Sequence, residues 1–242
     1  MVASRLESFD FKPGFILNDK YEIIHKLGGG WESEVYFVKE IKTGIERTAK
    51  FFLPHRNIKN KTAKISAQKL HKLKHCSILI QYVTQENIFY KGHNITFLIS
   101  EYVDGVPLSE FLKKQKGKRL APFQALHLLH SLSKGVEEIH HHNEYHGDIH
   151  TENIIVRKYG LGFDLKLIDL FNWGSPKSIN KKEDVIDMIR CFYDSLGGHK
   201  FYYSLPKPIK QIILGLKKTQ ISKKFKDAGS LKTHIENLIW ED

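Results

Sequence analysis

His146-Gly147-Asp148-Ile149-His150-Thr151-Glu152-Asn153 has the form H-x-D-x-x-x-x-N, and Asp169 follows sixteen residues after its asparagine, in Leu165-Lys166-Leu167-Ile168-Asp169. A carboxylate that can orient a hydroxyl, with an amide oxygen and a second carboxylate that can hold magnesium, are the parts a phosphoryl transfer from ATP requires. Asp148 is the candidate base, or hydroxyl-orienting group. Asn153 and Asp169 are candidate Mg²⁺ ligands, because a hard cation takes oxygen donors. Any one of the three alone could be a turn residue capping local backbone groups. All three in order, each beside a short apolar run, argue against that reading.

A second constellation lies upstream. Gly28-Gly29-Gly30-Trp31-Glu32-Ser33-Glu34-Val35 approximates G-x-G-x-x-G-x-V, with Ser33 in the third glycine's place. Glycines let a backbone approach phosphate oxygens and leave N–H groups to bind them, although a tight β-turn uses glycines as well. Lys50 follows in Arg47-Thr48-Ala49-Lys50-Phe51-Phe52. A lysine among apolar strand residues is costly to bury unpaired, so it is expected to meet an anion such as a nucleotide phosphate; the alternative is an edge-strand lysine in solvent.

The elements that must position these residues fall into two halves. Tyr21–Ile24, Val35–Val38 and the stretch ending at Phe51-Phe52 read as strands, with Lys42-Thr43-Gly44 as a hairpin turn. Residues 61–74 fit a Lys-rich helix with Ile65, Leu70 and Leu73 on one side, and strands are expected near Tyr82–Ile88 and Ile95–Tyr102. Residues 1–20 read as a lead-in with a turn at Pro13-Gly14. After Asp104-Gly105 and Pro107 the pattern becomes helical: Leu108–Lys116, then a helix from Pro122 whose apolar positions 126, 129, 132, 136 and 139 recur at steps of three and four, ending near His142-Asn143. Ile154–Val156 and Leu165–Ile168 are short strands, and helices are expected over 183–196, 207–217 and 228–240. A β-rich half before an α-rich half implies an α+β chain of two lobes with a cleft near residues 102–106.

The 242 residues can bury a real core, and apolar residues make up 41% of them. A net charge of +11 favours anionic partners such as nucleotide, nucleic acid or acidic protein. The basic runs at 113–119, 217–218 and 223–224 lack interleaved aromatics, so they read as solvated faces and indicate nucleic acid only weakly. Two distant cysteines, Cys76 and Cys191, predict no disulfide framework and favour a reducing, cytoplasmic setting. No apolar run predicts a signal peptide or a membrane span. His140-His141-His142 with His146 read as a helix end whose dipole suits histidine, ahead of a metal site.

Taken together, these motifs resemble the protein-kinase-like superfamily over nearly the whole chain. The opening from Tyr21 to Lys50 is similar to bacterial Hanks-type (eukaryotic-like) Ser/Thr kinases. The resemblance implies one domain over 1–242: an N-lobe of about 1–102 with a small antiparallel sheet and one helix, a hinge of about 102–106, and a mainly helical C-lobe of about 107–242. It implies that ATP is bound by Gly28, Gly29, Gly30, Ser33 and Val35 over the phosphates, by Lys50 on the α- and β-phosphates, and by the backbone of Glu101 and Val103 at the adenine. Ser100 would be the gatekeeper, and Asp184 would brace the catalytic loop.

The chain departs from the protein-kinase pattern at four points. Gly147 stands where the family has an Arg that reads a phosphorylated activation loop. His150 stands in place of the Lys that contacts the γ-phosphate, which makes the loop similar to aminoglycoside and choline kinases. D-F-G is replaced by Asp169-Leu170-Phe171. Asp184 follows Asp169 by only fifteen residues, too few for an ordinary activation segment. The helix carboxylate that would pair with Lys50 falls on Ser66, or on Gln68 in another register. The expected activity is ATP- and Mg²⁺-dependent transfer of the γ-phosphate to a hydroxyl, foremost a protein Ser/Thr. The alternatives are a small-molecule kinase of the aminoglycoside/choline-kinase type and a pseudokinase that binds nucleotide or serves as a scaffold.

Overall fold

A computed structural model describes residues 5–159, 162–174 and 176–239. The chain divides into two compact units. One holds the chain up to Lys74 together with Ile80–Val103, and the other holds His75–Leu79 and the chain from Asp104 onward.

The first unit is a six-stranded antiparallel sheet with one α-helix. Its strands are β1 (Ile16–Leu17), β2 (Tyr21–Gly29), β3 (Ser33–Glu40), β4 (Glu46–Phe52), β5 (Tyr82–Tyr90) and β6 (His93–Glu101), in the order β1-β2-β3-β4-β6-β5. The helix α1 spans Lys61–Lys72. Alternation sorts side chains to the two faces. Ile23, Tyr36, Val38, Ala49, Phe51, Ile95, Phe97 and Ile99 form one buried face. Phe52 and Leu98 face the other way and pack with Ala63 of α1, flanked by Ala67 and Tyr82.

The lead-in, for which the sequence offers no core pattern, packs into the core. Leu6, Phe9, Phe11 and Leu17 are buried in the first face. Phe11 stacks on Phe9 at 5.6 Å and lies 4.9 Å from Phe51, and the Tyr90 hydroxyl donates to the Phe9 carbonyl. Each buried ring contributes about 1.5–3 kcal/mol. The spacing of Phe9, Phe11 and Phe15 matches neither period strongly enough to announce a core segment.

The second unit begins with β7 (Val106–Pro107), α2 (Leu108–Lys113) and α3 (Pro122–His141), and continues with β8 (Ile154–Tyr159) and β9 (Gly162–Leu167). The remaining helices are α4 (Lys177–Ser195), α5 (His199–Tyr202), α6 (Lys207–Ile213), α7 (Lys218–Lys224) and α8 (Ala228–Glu236). β7, β8 and β9 form a small antiparallel sheet. α3 is the axis: it packs against α4, α8 and β9, and Leu126, Leu129, Leu132, Val136 and Ile139 are all buried as their spacing predicts. A side chain at Gly135 would overlap Ile78, so glycine there lets the 75–79 segment lie against α3.

Several boundaries differ from expectation. α4 starts at Lys177 instead of 183, because its first turns are polar and carry no apolar period. α6 ends at Ile213 instead of 217, where Leu214 and Gly215 turn left-handed at φ 51° and 59°. β7, α5 and α7 are too short or too polar to be seen in the sequence. The expected helix 228–240 ends at Glu236, and residue 240 lies outside the described residues. Among the described residues no helix is long and apolar enough to cross a membrane.

Candidate functional site

In the first unit the glycine-rich segment is the end of β2 and its turn into β3. Gly28 pairs with Val35, Val35 with Lys50, and Lys50 with Leu98, so four strands share one rung. With strands about 4.8 Å apart, this rung sets Lys50 two strand spacings from Gly28. The turn closes with the Gly30 N–H on the Ser33 carbonyl at 2.9 Å, and Ser33 is buried. A side chain would meet nothing within 4 Å at Gly28 or Gly30, so neither packing nor φ demands glycine there.

Glu34 anchors this hairpin, a role the sequence does not announce. It is 5% exposed and binds the Lys26 ammonium at 2.7 Å, the Tyr36 hydroxyl at 2.5 Å and the Ser8 hydroxyl at 2.8 Å. Burial pushes its carboxyl up, but the hydrogen bonds from Lys26, Tyr36 and Ser8 outweigh this and hold it below the usual range. Lys50 lies on the α1 face, with its Nζ 5.5 Å from the Phe52 ring centroid. Ser66 is half-buried and Gln68 exposed. No acidic residue occurs between Glu46 and Glu86, so α1 has no carboxylate to offer Lys50. At the end of β6 the Glu101 N–H is bound to the Gln81 carbonyl at 2.9 Å. Val103 follows half-buried, and Ser100 is buried beside Thr48 and Tyr82.

The second unit gathers Asp148, His150, Asn153 and Asp169. Asp184, fully buried on α4, accepts the His146 N–H at 2.7 Å and the Gly147 N–H at 2.8 Å. It also takes the His140 Nε2 proton at 3.1 Å. The other ring nitrogen of His140 accepts the Ala228 N–H at 3.2 Å, which fixes the tautomer as Nε2–H and joins the ends of α3 and α8 to the loop. Both ring nitrogens of His140 are thereby occupied by structural bonds. Gly147 adopts φ +89°, and a side chain there would press on the Phe171 carbonyl at 2.9 Å and the Tyr145 ring at 3.0 Å. Its glycine is therefore a backbone requirement of this loop.

Asn153, buried, donates to both the Asp148 carbonyl at 3.0 Å and the Asp148 Oδ2 at 3.1 Å. Its Oδ1 is thus the atom turned away from Asp148. The His150 Nε2 lies 3.6 Å from the Asp148 Oδ2, with both side chains about half exposed. The His150 imidazole beside it holds Asp148 below its usual value against the effect of burial, and Asp148 in return raises His150. The Glu152 N–H, 3.3 Å from the His150 Nδ1, works in the opposite sense. Asp169 sits at φ +59°, a conformation that short polar side chains tolerate. It lies between two backbone ties to the loop: the Ile168 N–H on the Asn153 carbonyl at 3.1 Å, and the Phe171 N–H on the His146 carbonyl at 3.0 Å.

Beyond Asp169 the chain folds onto the loop through residues that the sequence reading passed over. The Trp173 Nε1 donates to the Gly147 carbonyl at 2.7 Å. The Tyr145 hydroxyl bonds to the Asn172 Oδ1 at 3.1 Å and to the Gly174 carbonyl at 3.2 Å. Their only signal in the sequence is position: Tyr145 directly precedes the motif, and Trp173 follows Asp169 by four residues.

Residues 21–207, more than half of the chain, match the protein kinase domain family. The serine/threonine-protein kinase PknB of Mycolicibacterium smegmatis is 28% identical over 153 residues, 59% of this chain and 23% of that protein. Calcium-dependent protein kinase 4 of Plasmodium falciparum is 28% identical over 182 residues, 70% of this chain and 33% of its own length. The serine/threonine-protein kinase PrkC of Bacillus subtilis is 24% identical over 147 residues, 60% of this chain and 22% of that protein. The matches thus cover a third or less of each relative's length. The match from Tyr21 onward spans the hairpin of Gly28–Val35, Lys50, the 146–153 loop with its Asp184 brace, and Asp169, and on it the chain belongs to the protein kinase domain family.

Proposed function

We propose that this chain is an ATP- and Mg²⁺-dependent phosphotransferase that moves the γ-phosphate to a hydroxyl, with a protein Ser/Thr side chain as acceptor. The observation that carries this reading is the Asp148 carboxylate, held by Asn153 and His150 on a loop whose amides are braced by Asp184. Asp148 orients the acceptor hydroxyl and takes its proton. The new O–P bond forms as the bond from the γ-phosphorus to the bridging oxygen breaks, releasing ADP. Lys50 and the Gly28–Ser33 backbone hold phosphate oxygens, and the Glu101 and Val103 backbone holds the adenine. The Asn153 Oδ1, turned outward by its two amide bonds, and the Asp169 carboxylate form an oxygen donor set suited to magnesium, which would neutralise phosphate charge. Such catalysis is mostly positioning and electrostatics. The names of the matched Ser/Thr kinases support the choice of acceptor.

Mass spectrometry after incubation with Mg²⁺–ATP tests the reading. A gain of one phosphate on the protein is expected, with none in Asp169→Ala while that variant keeps its fold. Normal turnover by Asp169→Ala would sink the assignment.

Two observations favour other readings. Residues 169–174 are bound down onto the catalytic loop, and Asp184 follows closely, which suits a small-molecule acceptor better than a peptide. Labelled ATP offered separately with a protein extract and with a metabolite pool separates these two. The absence of any acidic residue from 47 to 85 favours a pseudokinase. Calorimetric Mg²⁺–ATP binding without turnover would decide for that reading.

A further inference from the structure

We infer that Trp173 is a positioning residue for Asp148, serving as the clamp on the peptide plane that carries it. This inference rests on the reading of Asp148 given above. The plane between Gly147 and Asp148 has two polar atoms, and both are tied. Its carbonyl accepts the Trp173 indole N–H at 2.7 Å, and its N–H reaches the His146 Nδ1 at 3.3 Å. The preceding plane is tied at both ends as well: the His146 carbonyl takes the Phe171 N–H at 3.0 Å, and the Gly147 N–H donates to Asp184 at 2.8 Å. Two successive planes held at four points fix φ and ψ of Gly147, and with them the plane from which the Asp148 side chain is carried.

The need for such a clamp follows from Gly147. A glycine at φ +89° has access to both signs of φ, so nothing in its own chemistry holds the plane after it. The indole bond is the shorter of the two on that plane. The donor is itself fixed, because the Phe171 ring lies 4.5 Å from the Trp173 ring and the Tyr145 hydroxyl bonds to Asn172 and Gly174, the residues before and after it. Trp173 is 65% exposed, so burial of the ring does not explain an indole at this position, whereas its N–H does. The short segment after Asp169 therefore acts as an internal brace.

The test compares the full chain with Trp173→Phe, which keeps a ring and loses the donor, and with Trp173→Ala. Steady-state turnover with Mg²⁺–ATP and the protein as its own acceptor is measured alongside amide hydrogen exchange at residues 146–149 and 169–174. Loss of one net hydrogen bond predicts a kcat roughly three- to tenfold lower, an unchanged KM for ATP, and amide exchange at Asp148 faster by a similar factor. Because the ring is exposed, the thermal midpoint is expected within about 4 °C of the parent. Unchanged exchange and unchanged kcat in Trp173→Phe would overturn the inference. So would a fall in kcat that merely tracks a collapse of the thermal midpoint, because that is a structural role. If the parent shows no turnover at all, the protein-acceptor reading fails, while the exchange comparison still decides whether Trp173 clamps the loop.

Discussion

Replacing Gly147 with alanine tests the backbone requirement of the 146–153 loop. At φ +89° an L-residue carries a backbone cost of about 1–3 kcal/mol. The added methyl would also sit 2.9 Å from the Phe171 carbonyl and 3.0–3.1 Å from two atoms of the Tyr145 ring. Tyr145 is fully buried and bonded through its hydroxyl, so it cannot swing aside, and such overpacking costs roughly 1–3 kcal/mol. Against this, alanine restricts the unfolded chain, which returns about 0.4–1 kcal/mol. The balance is a loss of about 1–6 kcal/mol. For a chain of this size each kcal/mol moves the thermal midpoint by about 2–4 °C, so a drop of roughly 2–24 °C is expected. Turnover should fall further than stability, because relief of the clash moves the plane that carries Asp148. Urea denaturation and Mg²⁺–ATP turnover measure the two effects. An alanine variant within about 0.5 kcal/mol of the parent would show that the loop relaxes freely, and the reasoning would be refuted. The same geometry predicts that restoring arginine at 147, as the family resemblance would suggest, harms the protein.

Asp184→Asn presents an amide NH₂ to at least one of the two loop N–H groups, a buried mismatch of about 1–3 kcal/mol, and it should speed amide exchange at His146 and Gly147; unchanged exchange there would count against the brace. Because Asp148 raises His150, its ring should titrate above 6.5 by NMR and fall back in Asp148→Asn; a midpoint at or below 6.5 in the parent would contradict the pairing. The sign follows for stability. The His150 contribution is complete below its unfolded value and lost as pH rises through the folded one, while the Asp148 contribution is present above 3.8 and lost as pH falls through its lowered value. Both side chains are about half exposed, so solvent screening keeps the pair small, under about 1 kcal/mol. Phe9→Ala in the lead-in should cost about 3–5 kcal/mol in urea denaturation, and a loss under about 1 kcal/mol would show the segment to be peripheral.

The sequence by itself determined the fold class, the order of the longer strands and helices, and the residue types able to do chemistry. Period-2 alternation in β4 and β6, and steps of three and four in α3, are local properties written in consecutive residues. The H-x-D-x-x-x-x-N spacing is local too, and so Asp148, Asn153 and Asp169 were legible as candidates. Four things were decided only by tertiary structure. Phe9 and Phe11 became core because a sheet face formed far along the chain for them to cover. Glu34 became a buried anchor because Lys26, Tyr36 and Ser8 converge on it. Gly147, legible only as a missing arginine, proved to be a conformational requirement set by Tyr145 and Phe171. Trp173, an unremarkable aromatic in a short connection, became the donor to its carbonyl. In each case a hydrogen bond or a close approach joins residues that no local period relates, and only the folded chain specifies which distant groups share a few ångströms of space.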